Sequence, residues 1–247
     1  MMSKKALRLT ARDRHVLLLC SYLPHTVKQL SSLFPSVKKC SARLLLLYKA
    51  GYLHRITRSC SEARGRAEYV YSTKKIRGSF NLEHDLQIND FRVGVELAFN
   101  NTNVSPTFLY PPQIKAEHLT QHGIRPDAVL LLTHMKKDVT LLHFLEIDMG
   151  SERTSGKGCY TLSQKMEKYI GFFDSGDYQK DFDLLLNGFR VLVICQEEKR
   201  LQQILKLCRA NQADFIWLSL VASLKNPLGK HWFHCDEDGP SPLVLET

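Results

Sequence analysis

The chain has 247 residues, 44% hydrophobic and 24% charged, an ordinary globular balance that excludes disordered and fibrous classes. No apolar run approaches the roughly 18 residues of a membrane span, and the basic start Met1-Met2-Ser3-Lys4-Lys5 leads into Arg8, Arg12, Asp13 and Arg14 rather than a secretory apolar stretch. Seven cysteines, an odd number with no Cys-x-x-Cys pair, fit reduced thiols and a cytoplasmic setting better than a disulfide framework. The net charge of +9 is unevenly spread: residues 1–80 hold 17 Lys+Arg against three acids, +14, and residues 81–247 hold 17 against 22, −5. Such a split predicts a nucleic-acid-binding module, residues 1–79, joined to a different kind of domain, residues 80–247.

In the first module, Thr10-Ala11-Arg12-Asp13 reads as a capping box that opens a helix ended by Pro24. Thr26-Val27-Lys28-Gln29 opens a second, short helix. Ser36 caps a third, which runs to about Ala50 with Gly51 just past its end. Tyr52–Arg58 and Glu68–Ser72 alternate as paired strands, with Arg64, Gly65 and Arg66 in the basic stretch between them. Three helices with a tight second-to-third connection, followed by a basic hairpin, predict a winged helix-turn-helix. The phrase Leu46-Leu47-Tyr48-Lys49-Ala50-Gly51-Tyr52-Leu53 resembles the junction between recognition helix and wing in such DNA-binding domains. In that order the third helix presents its first turns to the major groove. Lys38, Lys39, Ser41 and Arg43 are therefore the candidate groove contacts, and Arg64 and Arg66 the candidate wing contacts, with double-stranded DNA as the partner.

From residue 81 the pattern changes to a long helix from about 81 to 100, then strands at Thr107–Tyr110, Ala128–Leu132 and Leu141–Asp148. A helix at Thr161–Phe173, a strand at Phe189–Cys195, a helix at Glu197–Asn211 and a strand at Ala213–Leu220 complete an α/β domain with a central mixed sheet. The tail from Asn226 reads as irregular or covering a sheet edge. Acids inside apolar strand runs are costly and need a reason. Asp127 opens one strand and Glu146-x-Asp148 closes the next, so an antiparallel hairpin brings them to the same end of the sheet. Period-two alternation puts Glu146 and Asp148 on one face. Converging carboxylates suit Mg²⁺ or Mn²⁺, and such ions stabilise attack of water on a phosphodiester.

Pro126-Asp127, eighteen residues, then Glu146-Ile147-Asp148 resembles the PD-(D/E)xK nuclease pattern in its usual element order. The resemblance implies Asp127 and Glu146 as metal ligands, with Glu83 as a third. Asp148 stands where that pattern has lysine, and the lysine role then passes to the following helix, Lys165 first and Lys168 second. Across about residues 8–200 the chain resembles the replication-relaxation family of plasmid and mobile-element proteins. The carrying segments are Leu9-Thr10-x-Arg12-Asp13, Leu82-Glu83-His84, Ile124-Arg125-Pro126-Asp127, Phe144-Leu145-Glu146-Ile147-Asp148-x-Gly150-x-Glu152 and Phe189–Val193. The resemblance implies a role in replication, relaxation or mobilisation, with other mobile-element proteins as further partners.

Three readings remain open. The chain is a Mg²⁺-dependent DNA endonuclease using Asp127, Glu146, Asp148 and Lys165, an origin-binding accessory factor that does not cut, or a winged-helix transcription regulator. His118-x-x-x-His122 and His231-x-x-His234-Cys235 have metal-compatible spacings but no second ligand pair at structural-zinc distance. Ser155-Gly156-Lys157-Gly158-Cys159 lacks the Gly-Lys-Ser/Thr ending of a phosphate-binding loop and reads as a mobile loop over the acidic face.

Overall fold

A computed structural model describes residues 7–58, 68–76, 82–137, 139–150, 161–182, 188–235 and 239–243. The chain divides into two compact units, Met1–Asp90 and Phe91–Thr247, and the division falls inside one helix.

The first unit begins with α1 (Ala11–Tyr22), whose capping box forms as the sequence predicts: Thr10 Oγ1 accepts from the Asp13 N–H at 3.2 Å, and Asp13 Oδ2 accepts from the Thr10 N–H at 2.7 Å. Strand β1 (His25–Thr26) leads straight into α2 (Val27–Leu30), which carries a second capping box from Thr26 and Gln29. The Gln29 side chain is buried because its amide serves a second purpose, donating to Leu86 O and Asp90 Oδ1, each at 2.8 Å. A 3₁₀ turn at Ser31–Leu33 precedes α3 (Val37–Lys49), capped by Ser36. Gly51, at φ +83°, leaves α3 in the left-handed region that glycine adopts without strain. Strands β2 (His54–Arg58) and β3 (Glu68–Ser72) pair in antiparallel register, and β1 adds to the other side of β3, giving the order β1-β3-β2. Strand β1 lies outside the sequence expectation because two residues between helices carry no alternation to read. Val16, Leu19, Leu30, Leu44, Leu47 and Val70 form the buried interior of this unit.

Helix α4 (Leu82–Ala98) follows, and the second unit continues through β4 (Val104–Leu109), α5 (Glu117–Gln121), β5 (Ala128–His134) and β6 (Val139–Asp148). Helices α6 (Leu162–Ser175) and α7 (Asp177–Phe182) lead to β7 (Phe189–Cys195), α8 (Glu198–Ala210) and β8 (Ile216–Leu220), and the short pair β9 (Lys230–Trp232) and β10 (Ser241–Pro242) ends the order. The five-stranded sheet runs β4-β5-β6-β7-β8, with antiparallel pairs on the β4 side and parallel pairs on the β8 side. The protein is therefore mixed α+β, with eight α-helices among the described residues. Strand β4 starts earlier than Thr107 because Pro106 is tolerated on an edge strand.

The sheet is covered on both faces. Leu142, Phe144, Val191, Val193 and Cys195 point to the layer of α6 and α8, where Phe144 and Phe189 pack edge to face with centroids 4.9 Å apart. On the opposite face Phe91 of α4 meets Phe108 and Trp232. At Gly94 the Leu224 backbone comes so close that no Cβ fits. The tail covers the β8 edge, where Leu218 and Phe233 exchange backbone hydrogen bonds at 2.8 Å, in line with the edge-covering expectation.

Candidate functional site

The parallel half of the sheet fixes where the acids go. In β6 the even residues face α6 and α8, so Glu146 and Asp148 continue the buried stripe begun by Leu142 and Phe144. Asp127 stands one step beyond the Ala128–Leu145 pair, at the same end of the sheet. Its N–H donates to Leu145 O at 2.9 Å, and its Oδ2 accepts from the Ile147 N–H at 2.7 Å, which pins the carboxylate beside Glu146.

Glu146 is 4% exposed and has two partners from successive turns of α6. Lys165 Nζ lies 2.6 Å from Oε2, and the Tyr169 hydroxyl donates to Oε1 at 2.6 Å. Burial raises its pKa from 4.5 to about 7; Lys165 opposes the rise and the negative charge of Asp127 adds to it. Burial, then the Glu146 charge, also holds the Tyr169 hydroxyl well above its usual value, so it stays a proton donor. Asp148, two residues on, has a different partner. Arg200 of α8 binds it with Nε at 2.5 Å from Oδ2 and a terminal nitrogen 3.3 Å from Oδ1, and the Gly150 N–H donates to Oδ1 at 3.0 Å.

Asp127, Glu146 and Lys165 thus meet at one end of the sheet, with Asp148 on the same face but held by Arg200. Lys168, the second lysine candidate, instead donates to Gly123 O at 3.2 Å. Glu83 lies in the first unit in an ion pair with Arg58. Among the described residues no group of three or more His, Cys, Asp or Glu is gathered closely enough to hold a metal ion. Two participants escaped the sequence reading. Tyr169 carried a usable signal, since it sits one helical turn after Lys165 and shares its face. Arg200 carried none, because only the parallel β6-β7 pairing brings the start of α8 to the end of β6.

In the first unit, Lys38, Lys39 and Ser41 are exposed on the first turns of α3. Arg43 is turned the other way. Its Nε donates to Asp13 Oδ1 at 2.8 Å, and a terminal nitrogen reaches Asp13 Oδ2 at 2.5 Å and Arg8 O at 3.0 Å. Arg64 and Arg66, the intervening hairpin stretch, and the loop containing Lys157 and Cys159 lie outside the described residues. Of the histidines considered for zinc, His118 Nδ1 lies 2.8 Å from Asp181 and His122 Nε2 3.1 Å from Asp177, both on α7, while the His234 ring stacks on Trp217. A cleft of about 480 Å³ opens at the far end of the sheet, lined in part by His143, Arg190, Phe215, Trp217 and His234.

The class these features define is a two-unit α+β protein with a basic first unit and a buried carboxylate–lysine–tyrosine cluster in the second. The family model described as replication-relaxation matches residues 18–185, and the chain belongs to that family. Membership suggests a role in the replication or relaxation of a plasmid or mobile element. Comparison with curated proteins and with solved structures gives no match. No helix among the described residues is long and apolar enough to cross a membrane.

Proposed function

We propose that the chain is a duplex-DNA-binding protein of plasmid or mobile-element replication or relaxation. In this reading the first unit is a winged helix-turn-helix that seats the protein on DNA, and the second is a PD-(D/E)xK-like domain. The observation that carries it is the outward display of Lys38, Lys39 and Ser41 on α3, within a segment of charge +14 over residues 1–80. Phosphate-contacting lysines act through counterion release, so each removal weakens binding on any sequence and flattens its salt dependence. Lys38→Ala and Lys39→Ala are each expected to lower duplex affinity about tenfold at low salt and to reduce the salt slope by about one. Fluorescence anisotropy titrations at several salt concentrations measure both. Unchanged affinity in the double variant refutes the assignment of α3 to DNA.

A second reading, phosphodiester cleavage, is favoured by one observation: Lys165 Nζ stands 2.6 Å from Glu146 Oε2, on the helix to which the motif lysine was expected to move. The donor set fits a hard divalent ion, because Mg²⁺ takes one or two protein carboxylates and completes its shell with water and substrate phosphate. Asp127 and Glu146 would hold it, and Glu83, engaged by Arg58, is not required. The ion would supply Lewis-acid stabilisation of the phosphodiester oxygens. The chain's own residues do the rest. Tyr169 donates to Glu146 Oε1 and the Lys165 ammonium pairs with Oε2, and Lys165 Nζ is the group that would orient an attacking water. Asp148, neutralised by Arg200, anchors the end of β6. Nicking of supercoiled plasmid in Mg²⁺ or Mn²⁺ is expected, with a loss of at least a hundredfold in Asp127→Ala, Glu146→Ala and Lys165→Ala. Tight binding with no nicking on any topology assigns the chain instead to the non-cutting accessory class.

A further inference from the structure

Among the described residues of the first unit, Arg55 of β2 is the cation that lies over two aromatic rings. Its guanidinium carbon lies 4.5 Å from the ring centre of Tyr48, at the end of α3, and 4.1 Å from that of Tyr69, on β3. Both rings are surface residues, 38% and 41% exposed. Two rings against the guanidinium restrict a side chain that is otherwise among the floppiest. That ordering is hard to explain as ion pairing: among the described residues no carboxylate meets Arg55, and Glu68 and Glu83 are both met by Arg58. Among the described residues this partly exposed positive charge is held against aromatic rings without a carboxylate partner.

Its position connects it with the lysines of α3. Lys38, Ser41, Leu45 and Tyr48 follow one another at three- and four-residue steps, so they form one stripe along the helix that ends at the Arg55 stack. From Lys38 to Tyr48 the stripe rises about 15 Å, close to the roughly 12 Å width of the major groove. If the first turn of α3 lies in the groove, the far end of the stripe reaches its flanking phosphates.

We infer that Arg55, clamped between Tyr48 and Tyr69, is a preorganised contact for the DNA phosphate backbone beside the groove that α3 enters. This rests on the duplex-binding reading above and adds to it a specific group and its supporting rings. The planar fork of arginine serves here in two ways: its faces stack and its free edge donates to phosphate oxygens, neither of which a lysine ammonium reproduces.

The test uses the full chain and a mixed-sequence duplex, with affinity measured at two salt concentrations and thermal unfolding recorded for each variant. Arg55→Ala is expected to weaken binding about tenfold and lower the salt slope by about one. Arg55→Lys, with its charge retained, is expected to keep the salt slope but still lose about fivefold, and Tyr69→Leu to lose a similar factor. If Arg55→Ala unfolds, Arg55→Lys and Tyr69→Leu decide the matter. Wild-type binding that Lys38→Ala weakens, with Arg55→Lys, Tyr69→Leu and any folded Arg55→Ala indistinguishable from wild type, overturns the inference alone. A wild-type chain with no duplex affinity overturns the duplex-binding reading and this inference with it.

Discussion

Asp13→Ala is expected to cost the first unit about 2–3 kcal/mol, because it removes both the capping-box acid of α1 and the buried half of an ion pair whose arginine is partly exposed. Asp13 is 1% exposed and serves two structures at once, as the capping-box acid of α1 and as the carboxylate gripped by Arg43 of α3. Its loss leaves the Arg43 guanidinium without its counter-ion and frees the first turn of α1. Typical domains hold only about 5–15 kcal/mol in total, so the loss takes a large share of the unit's stability, and on the proposed reading it weakens DNA binding although no group proposed to touch DNA has changed. The Arg43 guanidinium, with help from the Thr10 N–H and hydroxyl, lowers the Asp13 pKa from 3.8 to about 2. The depressed value means this stabilisation is fully present above pH 3.8 and is lost as the pH falls through about 2. Urea unfolding of wild type and Asp13→Ala at pH 7 and at pH 2 should show a large gap at the first and a small one at the second. If Arg43→Ala instead lowers DNA affinity with unfolding unchanged, Arg43 is a contact and not a clamp.

Glu146→Gln is expected to act in the opposite direction, stabilising the second unit at alkaline pH. A carboxyl whose pKa rises from 4.5 to about 7 on folding favours the native state fully below pH 4.5, and that contribution is lost as the pH rises through about 7. The displacement, already net of the opposing pull of Lys165, is worth on the order of 3 kcal/mol. Glutamine keeps an acceptor for Tyr169, and Lys165, with a third of its side chain exposed, can turn to water. In a chelator, to exclude metal binding, the variant should be more stable by about 1–3 kcal/mol at pH 8.5 and no more stable near pH 4.5. On the cleavage reading it should also be inactive in the nicking assay. Such an exchange of stability for chemistry is typical of groups retained for function. A variant less stable at every pH would show that the ion pair with Lys165 outweighs the burial of Glu146.

The parts of this molecule that were legible in the sequence are those whose causes are local. The boxes at Thr10, Thr26 and Thr161 bring both partners within three residues, so α1, α2 and α6 start where the sequence places them. The alternation of Phe189–Cys195 and the apolar run of β6 mark the central strands, and register alone sets Asp127 beside Glu146. What stayed hidden depends on distant partners. Helix α5 is too short for a periodic signal, and its amino end is capped by Asp181, whose two oxygens accept from the His118 and Leu119 N–H groups at 3.0 and 2.7 Å. Arg43 reads as positive charge at the right place on α3, but its carboxylate lies 30 residues earlier. Arg200 escaped for the same reason: nothing near it in the chain announces Asp148.

The cysteines, met first as a compartment signal, have a practical use. Cys40 in the first unit and Cys195 and Cys208 in the second are buried, and burial pushes their thiols up to about 11, 12 and 12. Alkylating reagents react with the thiolate, so these sulfurs respond only when the surrounding structure opens. Each unit therefore carries its own chemical clock, and site-resolved labelling by mass spectrometry can time the opening of one unit separately from the other, with no residue added.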